Sequence, residues 1–148
     1  MKKQVLALAT GLCLIVSASS AFSGEKTTSR TEIQEAVVVF AEKHNVPKGL
    51  ALALVKVESN YNPNARGAHG EYGLGQIKCS TARSVGFNGK CSQLLNVSTN
   101  LEYSMRYLKL ALDRASGNTC HAATLYNRGL DNRPQSSKYC KKVVTASL

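Results

Sequence analysis

The segment that most constrains the fold is residues 50–65, LALALVKVESNYNPNA. Its first eight residues are apolar except Lys56, and apolar residues occupy both odd and even positions. Alanine and leucine are strong helix formers, and a strand with one exposed face would show strict alternation instead. Proline is well tolerated in a first helical turn. We therefore predict a buried helix that starts at Pro47 and is stopped by Pro63 and the asparagines around it.

One carboxylate, Glu58, stands at the end of this apolar run. Helical spacing places it on the same face as Leu54 and Val55, four and three residues earlier. Burial and the negative end of the helix dipole both disfavour the anion, so we predict a raised pKa for Glu58. Such a carboxyl group can protonate a leaving group. The alternative is a glutamate at the solvent-facing end of a helix.

The first 23 residues have the three parts of a secretory signal peptide. A basic start, MKKQ, precedes a twelve-residue apolar core, VLALATGLCLIV, and the small residues SASSA. This core, which contains Cys13, is shorter than the roughly 20 apolar residues of a membrane span. We expect an exported protein, periplasmic or secreted, without stable membrane insertion after cleavage. Residues 24–30 are then a flexible lead, and residues 31–148 form one domain.

Four cysteines follow the leader, at Cys79, Cys91, Cys120 and Cys140. An even number in an exported chain favours disulfides over a metal site, although three connectivities are open. We favour Cys79 with Cys91 and Cys120 with Cys140, because each pair would join neighbouring segments.

Without Lys2 and Lys3 the chain has 17 basic and 9 acidic side chains, a formal charge of +8. This charge suits an anionic partner but does not identify it.

Most of the remaining sequence has helical periodicity, and strand patterns are scarce. A first helix is predicted over TEIQEAVVVFAEKH, where Thr31 and Gln34 have capping-box spacing. Glycine-rich residues 67–75 form a loop, and QIKCSTARSVG contains a short helix. Helices follow over LEYSMRYLKLALDRA after SerThrAsn, over CHAATLYN between a Thr119 cap and Gly129, and over SKYCKKVVTAS. The sequence therefore predicts a mainly α fold.

Four segments, ESNYNPNA, GLGQIKCSTAR, NLEYSMRYL and AATLYNRG, resemble in order and spacing the motifs of the soluble lytic transglycosylase catalytic domain family. The resemblance spans about residues 36–146. It implies a lysozyme-like single domain of several packed helices, here stapled by two disulfides. It also implies cleavage of the β-1,4 bond between N-acetylmuramic acid and N-acetylglucosamine in peptidoglycan, leaving a 1,6-anhydromuramic product.

The same resemblance implies a role for five residues. Glu58 matches the catalytic acid, and Ser59 the polar residue beside it. Gln76 closes the GLxQ motif and contributes to the sugar-binding cleft. Tyr126 and Asn127 match a YN pair near the acid, where Tyr126 is expected to hydrogen-bond the carboxyl group.

Two positions depart from the family pattern. Gly75 stands where the family often has methionine, which we expect to open that wall of the cleft. Arg128 stands where a small residue is common, and it adds positive charge near the substrate.

Alternative functions remain open. Glu71, in the glycine loop, is a candidate second carboxylate for a hydrolytic lysozyme, although a solvated loop position is the simpler reading. A non-catalytic peptidoglycan-binding module of a secretion machine is the other alternative. The expected partner is the glycan strand, with a secretion or conjugation apparatus suggested by resemblance to compact relatives. No cofactor is expected. No metal site is expected, because His44, His69 and His121 share no ligand spacing, and nucleic-acid binding would rest on charge alone.

Overall fold

The fold was analysed in a computed structural model, which describes residues 28–133 and 135–147. The leader predicted over residues 1–23 and the lead residues 24–27 lie outside the described part of the chain. Among the helices described, none has the length and hydrophobicity needed to cross a bilayer.

Helices make up most of the described chain, as the sequence predicted. The helices are α1 (Arg30–Lys43), α2 (Lys48–Ser59), α3 (Cys79–Ser84), α4 (Val97–Arg114), α5 (Thr119–Arg128) and α6 (Lys138–Ala146), with a 3-10 helix at Cys91–Leu95. Helix α4 packs against α1 and α5, and α6 packs against α2 and α5. The buried core lies between these helices and includes Leu54, Leu101, Met105, Leu108 and Leu125.

Three predicted helix starts are wrong. Helix α4 begins at Val97 with Asn96 as its N-cap, four residues before the predicted Leu101, and the caps of α1 and α5 are wrong by two residues and by one. The N-cap of α1 is Ser29, which forms the capping box with Glu32 in place of the predicted Thr31. Ser29 therefore belongs to the helix start rather than to a flexible lead. The N-cap of α5 is Asn118, whose side chain accepts a hydrogen bond from an amide of the first turn, and Thr119 is the first helical residue. In each case a neighbouring polar side chain offered the same capping chemistry.

The glycine-rich loop contains a short hairpin that the sequence analysis missed. Strand β1 (Glu71–Tyr72) pairs antiparallel with β2 (Ile77–Lys78). Two residues per strand give too little alternation to be recognised as strands. The loop backbone packs closely against the core, since a Cβ on Gly73 would lie 2.6 Å from the side-chain amide nitrogen of Asn100.

Asn100, a buried residue of α4, fastens this loop to the helical core. Its Nδ2 donates hydrogen bonds to the carbonyl oxygens of Tyr72 and Leu94, each at 2.7 Å. Its Oδ1 accepts a hydrogen bond from the amide of Gly75 at 2.8 Å. A buried amide that is satisfied on both sides specifies one position for the loop.

Both predicted disulfides are confirmed. Cys79 bonds to Cys91 and joins α3 to the 3-10 helix. Cys120 bonds to Cys140 and joins the first turn of α5 to the first turn of α6. Closing loops of this size stabilises a small domain by restricting its unfolded chain.

Candidate active site

A cleft of about 440 Å³ opens between the end of α2, the hairpin and the end of α5. Four of the five predicted site residues line it, namely Glu58, Gln76, Tyr126 and Asn127, and so does Tyr107 of the NLEYSMRYL motif. The hairpin also contributes Glu71. The four motifs of the sequence therefore converge on one concave surface, which is the usual setting of a ligand site.

Glu58 lies in the last turn of α2 and is half-buried. Ala51, Leu54 and Val55 on the same helix are fully buried, so the carboxyl group adjoins the apolar core. Loss of hydration raises the pKa of Glu58, and the negative charge of Glu71 raises it further. A hydrogen bond from Tyr139 acts in the opposite direction but does not cancel the effect of burial. The predicted direction of the pKa change is confirmed.

Tyr139 is a site residue that the sequence analysis did not identify. Its hydroxyl, on α6, donates a hydrogen bond to Oε1 of Glu58. Burial, together with the nearby Glu58 charge, raises the pKa of the Tyr139 hydroxyl, which therefore keeps its proton and acts as a donor. The one local signal in the sequence is that Tyr139 directly precedes Cys140, whose disulfide was predicted.

Tyr126 does not make the hydrogen bond expected of it. Its buried hydroxyl donates to the carbonyl oxygen of Gly75 at 2.7 Å. Burial raises the pKa of Tyr126, and the charge of the nearby Glu58 adds to the effect. Tyr126 therefore fixes the hairpin loop beside the acid, while Tyr139 contacts the acid itself.

Ser59 and Gln76 both hold the loop backbone. The Ser59 hydroxyl donates to the carbonyl oxygen of Leu74 at 2.8 Å, and Ser59 is not among the described residues that line the cleft. Gln76 lines the cleft and has a positive φ of 45°, and its Nε2 donates to the carbonyl oxygen of Gly73 at 2.9 Å. A direct contact of Ser59 with substrate therefore lacks support, whereas Gln76 is in place for one.

Gly75 does not open the cleft wall, contrary to expectation. A Cβ at this position would lie 2.2 Å from Oγ of Ser104 and 2.9 Å from the hydroxyl of Tyr126. The space that a larger residue would need is thus filled by α4 and α5. The glycine permits a close packing contact behind the cleft.

Glu71 is a second carboxylate in the cleft. Partial burial opposes its ionisation, but its pKa is lowered by hydrogen bonds from the backbone amides of His69 and Glu71 itself and by Lys78. The His69 amide lies 3.0 Å from Oε2, and Nζ of Lys78 lies 3.5 Å from Oε1. The site therefore combines one carboxyl group whose pKa is raised with one whose pKa is lowered.

A family model described as the transglycosylase SLT domain matches residues 35–146. The chain belongs to the transglycosylase SLT domain family. The resemblance found in the four sequence motifs is thereby confirmed.

Solved structures share the fold of this SLT domain. An inactive glutamate-to-glutamine mutant of the lytic transglycosylase Slt from Pseudomonas aeruginosa matches with a TM-score of 0.68 and 20% identity. The 70-kDa soluble lytic transglycosylase from Escherichia coli matches with a TM-score of 0.61 and 23% identity. The matches cover 77% and 76% of this chain but only 23% and 18% of those chains. The predicted lysozyme-like, mainly α fold is confirmed.

Within the described part of the SLT domain, no group of three or more histidine, cysteine, aspartate or glutamate side chains could hold a metal ion. His69 lines the cleft. His44, at the C-terminal end of α1, contacts Glu102 of α4 instead.

Proposed function

We propose that this domain is a peptidoglycan lytic transglycosylase that cleaves the β-1,4 bond between N-acetylmuramic acid and N-acetylglucosamine. The observation that carries the proposal is Glu58, a carboxyl group with a raised pKa that adjoins a cleft and accepts a hydrogen bond from Tyr139. Membership of the SLT family supports the assignment. The Pseudomonas aeruginosa relative is described as inactive when a glutamate is changed to glutamine.

In the proposed reaction Glu58 acts first as an acid and then as a base. It donates its proton to the glycosidic oxygen, and the bond from that oxygen to the anomeric carbon breaks. The resulting carboxylate removes the proton of the muramic C6 hydroxyl, whose oxygen attacks the anomeric carbon and closes a 1,6-anhydro ring. No water is consumed, and Glu58 ends protonated. A pKa near the working pH serves both steps.

Tyr139 has two roles in this scheme. Its hydroxyl donates to the carboxyl oxygen, so it stabilises the carboxylate that exists between the two steps. Because the bond fixes one oxygen, it also sets the orientation of the other oxygen toward the cleft. Tyr139 is thus a positioning residue, since it does not line the cleft in the described part of the chain.

Hydrolysis by a lysozyme-type reaction is the second candidate, because Glu71 lines the same cleft as Glu58. In that reaction Glu71 would be the second carboxylate required by most glycosidases. We favour the transglycosylase because the chain belongs to the SLT family, and because the His69 amide and Lys78 already engage the two oxygens of the Glu71 carboxylate.

Digestion of purified peptidoglycan with mass analysis of the fragments tests the proposal. The wild-type protein is expected to release anhydro fragments, one water lighter than reducing-end fragments, and Glu58→Gln to release none. Glu35→Gln removes an exposed carboxylate of α1 and is the matched control. Glu71→Gln should still give anhydro fragments. Reducing-end fragments that disappear in Glu71→Gln would establish the hydrolase instead.

A peptidoglycan-binding module without turnover is distinguished by the same material. If the protein is such a module, the wild-type protein and Glu58→Gln should bind strands equally well, and neither should release fragments. Retained binding with no digestion by the wild-type protein would therefore replace the enzyme assignment.

We also propose that the protein acts outside the cytoplasm, where it remodels the cell wall locally for a secretion or conjugation machine. The leader pattern and the two disulfides support export, because disulfides persist in oxidising compartments. Cell fractionation that finds the protein with an uncleaved leader in the cytoplasm would contradict export. A genome without genes for a wall-spanning apparatus near this gene would contradict the machine assignment.

A further inference from the structure

Two cationic side chains line the cleft, and their surroundings differ. Nζ of Lys78 lies 3.5 Å from Oε1 of Glu71, so its charge is offset within the hairpin. Arg128 is exposed at the end of α5, and no carboxylate of the described chain forms an ion pair with it. The nearest acidic residue in sequence, Asp131, pairs with Arg114 at 3.8 Å. Arg128 therefore presents an uncompensated guanidinium to the cleft.

The backbone around Arg128 is held firmly. Nδ2 of Asn132 donates to the carbonyl oxygens of Arg128 and Gly129, at 2.5 and 3.2 Å. Two residues before Arg128, the buried Tyr126 is bound to Gly75. The arginine thus projects from a fixed point beside Asn127, another residue that lines the cleft. The side chain itself is exposed, and its planar guanidinium loses less freedom per hydrogen bond formed than a lysine ammonium does.

We propose that Arg128 is a binding residue for a carboxylate carried by the glycan substrate. Its planar fork of donors suits bidentate binding of a carboxylate, which a lysine ammonium does not reproduce. The identity of the glycan rests on the proposed function. Two sources have this chemistry: the carboxyl group of a peptide-free muramic acid, and the free carboxyl groups of a stem peptide.

A structural role for Arg128 has to be separated from this one. A cation in the last turn of a helix interacts favourably with the negative end of the helix dipole. That interaction would stabilise α5 whatever ligand is present. A contact with a substrate carboxylate, in contrast, affects only ligands that carry one.

The test is equilibrium binding of fluorescent glycan strands to protein carrying Glu58→Gln, which prevents turnover in the proposed reaction. Three strand preparations are compared: with stem peptides, with peptides removed by an amidase, and peptide-free with the carboxyl groups converted to neutral amides. Arg128→Gln and Arg128→Lys are each added to the Glu58→Gln protein. The matched control is Lys141→Gln, which removes a charge from an exposed position on α6 that lines a different groove.

Arg128→Gln is expected to raise Kd about tenfold for a carboxylate-bearing strand and to leave Kd for the amide strand unchanged. Arg128→Lys should give an intermediate Kd, and Lys141→Gln no change specific to carboxylates. An effect confined to strands with stem peptides assigns the peptide carboxyl groups, and one on the peptide-free strands assigns the muramic carboxyl group.

Equal weakening of all three strands by Arg128→Gln, or no weakening of any, would overturn the proposal. Digestion by the wild-type protein separates this result from the proposed function. If the wild-type protein releases fragments but substitution of Arg128 does not change binding, only the carboxylate contact is refuted. Carboxylate-dependent binding through Arg128 without fragment release refutes the enzyme and keeps the contact.

Discussion

Replacing Tyr139 with phenylalanine removes the hydroxyl that donates to Glu58 and leaves the aromatic ring in place. The hydrogen bond favours the charged carboxylate, and burial favours the neutral acid. Without the bond only the effects that raise the pKa remain. Tyr139→Phe should therefore raise the pKa of Glu58 further above the value in the wild-type protein.

The size of this pKa change follows from the difference in free energy between a hydrogen bond to the carboxylate and one to the neutral acid. A bond to an ionised group contributes about 1.5–3 kcal/mol, and a neutral bond about 0.5–1.5 kcal/mol. Since the protonated acid can also accept from Tyr139, the change in ionisation is the difference, about 1–1.5 kcal/mol. About 1.4 kcal/mol corresponds to a tenfold change in an equilibrium, or one pH unit.

The assay is the pH dependence of kcat/KM for strand cleavage. The first step needs protonated Glu58, so activity falls on the alkaline side as this group ionises. Tyr139→Phe should move that limb upward by about one pH unit. Titration of carbon-13-labelled glutamate carboxyl groups by NMR, assigned with Glu58→Gln, checks the pKa directly.

Tyr61→Phe is the matched control for loss of a buried tyrosine hydroxyl. The Tyr61 hydroxyl donates to the carbonyl oxygen of Leu52 at 3.1 Å and has no contact with Glu58. This variant should leave the alkaline limb where it is. The reasoning is refuted if Tyr139→Phe leaves the Glu58 titration unmoved or lowers it, or if Tyr61→Phe moves it equally.

Three further predictions concern the acid, the packing behind the cleft and an ion-pair cluster away from it. Glu58→Gln should stabilise the fold at pH 8 but not at pH 4, because a carboxyl with a raised pKa makes folding less favourable once it ionises; urea midpoints showing the reverse would contradict the burial argument. Gly75→Ala should destabilise by about 1–3 kcal/mol, because its Cβ would lie 2.2 Å from Oγ of Ser104. Adding Ser104→Gly should recover part of that loss in urea unfolding, and additive losses would argue against the clash. Partial burial opposes ionisation of Glu102, but Lys43, His44 and Arg106 hold its pKa at about 2. The ionised Glu102 therefore stabilises the fold above pH 4.5, and this stabilisation is lost as the pH falls toward 2. Glu102→Gln should lower the free energy of unfolding by about 1–2 kcal/mol at pH 7, a value reduced because its partners are partly exposed. Urea unfolding near pH 2 should show no difference between the two proteins.

Helix positions could be predicted from the sequence, but not all of their first residues could be. Before α1, the sequence SRTEIQ contains two overlapping capping boxes, Ser29 with Glu32 and Thr31 with Gln34. Both satisfy the same local pattern, and the observed choice adds a glutamate to the first turn, where the helix dipole favours it. Local chemistry alone does not separate such neighbours.

The candidate acid could be recognised from the sequence because the residues that bury it precede it directly in the chain. Glu58 follows an apolar run, and helical geometry brings it onto the buried face of that run. The hydrogen bond from Tyr139 spans 81 positions, so no helical or strand period connects the two residues. Gly75 was misread for a similar reason, since Ser104 and Tyr126 fill its surroundings from two other helices.

The Cys120–Cys140 disulfide connects the two sides of the acid site. Cys140 directly follows Tyr139, and Cys120 lies at the opposite end of α5 from Tyr126. A hydrogen bond of 2.9 Å between the Thr124 and Ser137 hydroxyls joins the same two helices. Helix α5 thus forms one wall of the cleft and also fixes the helix whose tyrosine contacts Glu58. In a domain with one modest core, a covalent link beside Tyr139 makes the acidity of Glu58 depend on the same contacts that hold the fold together.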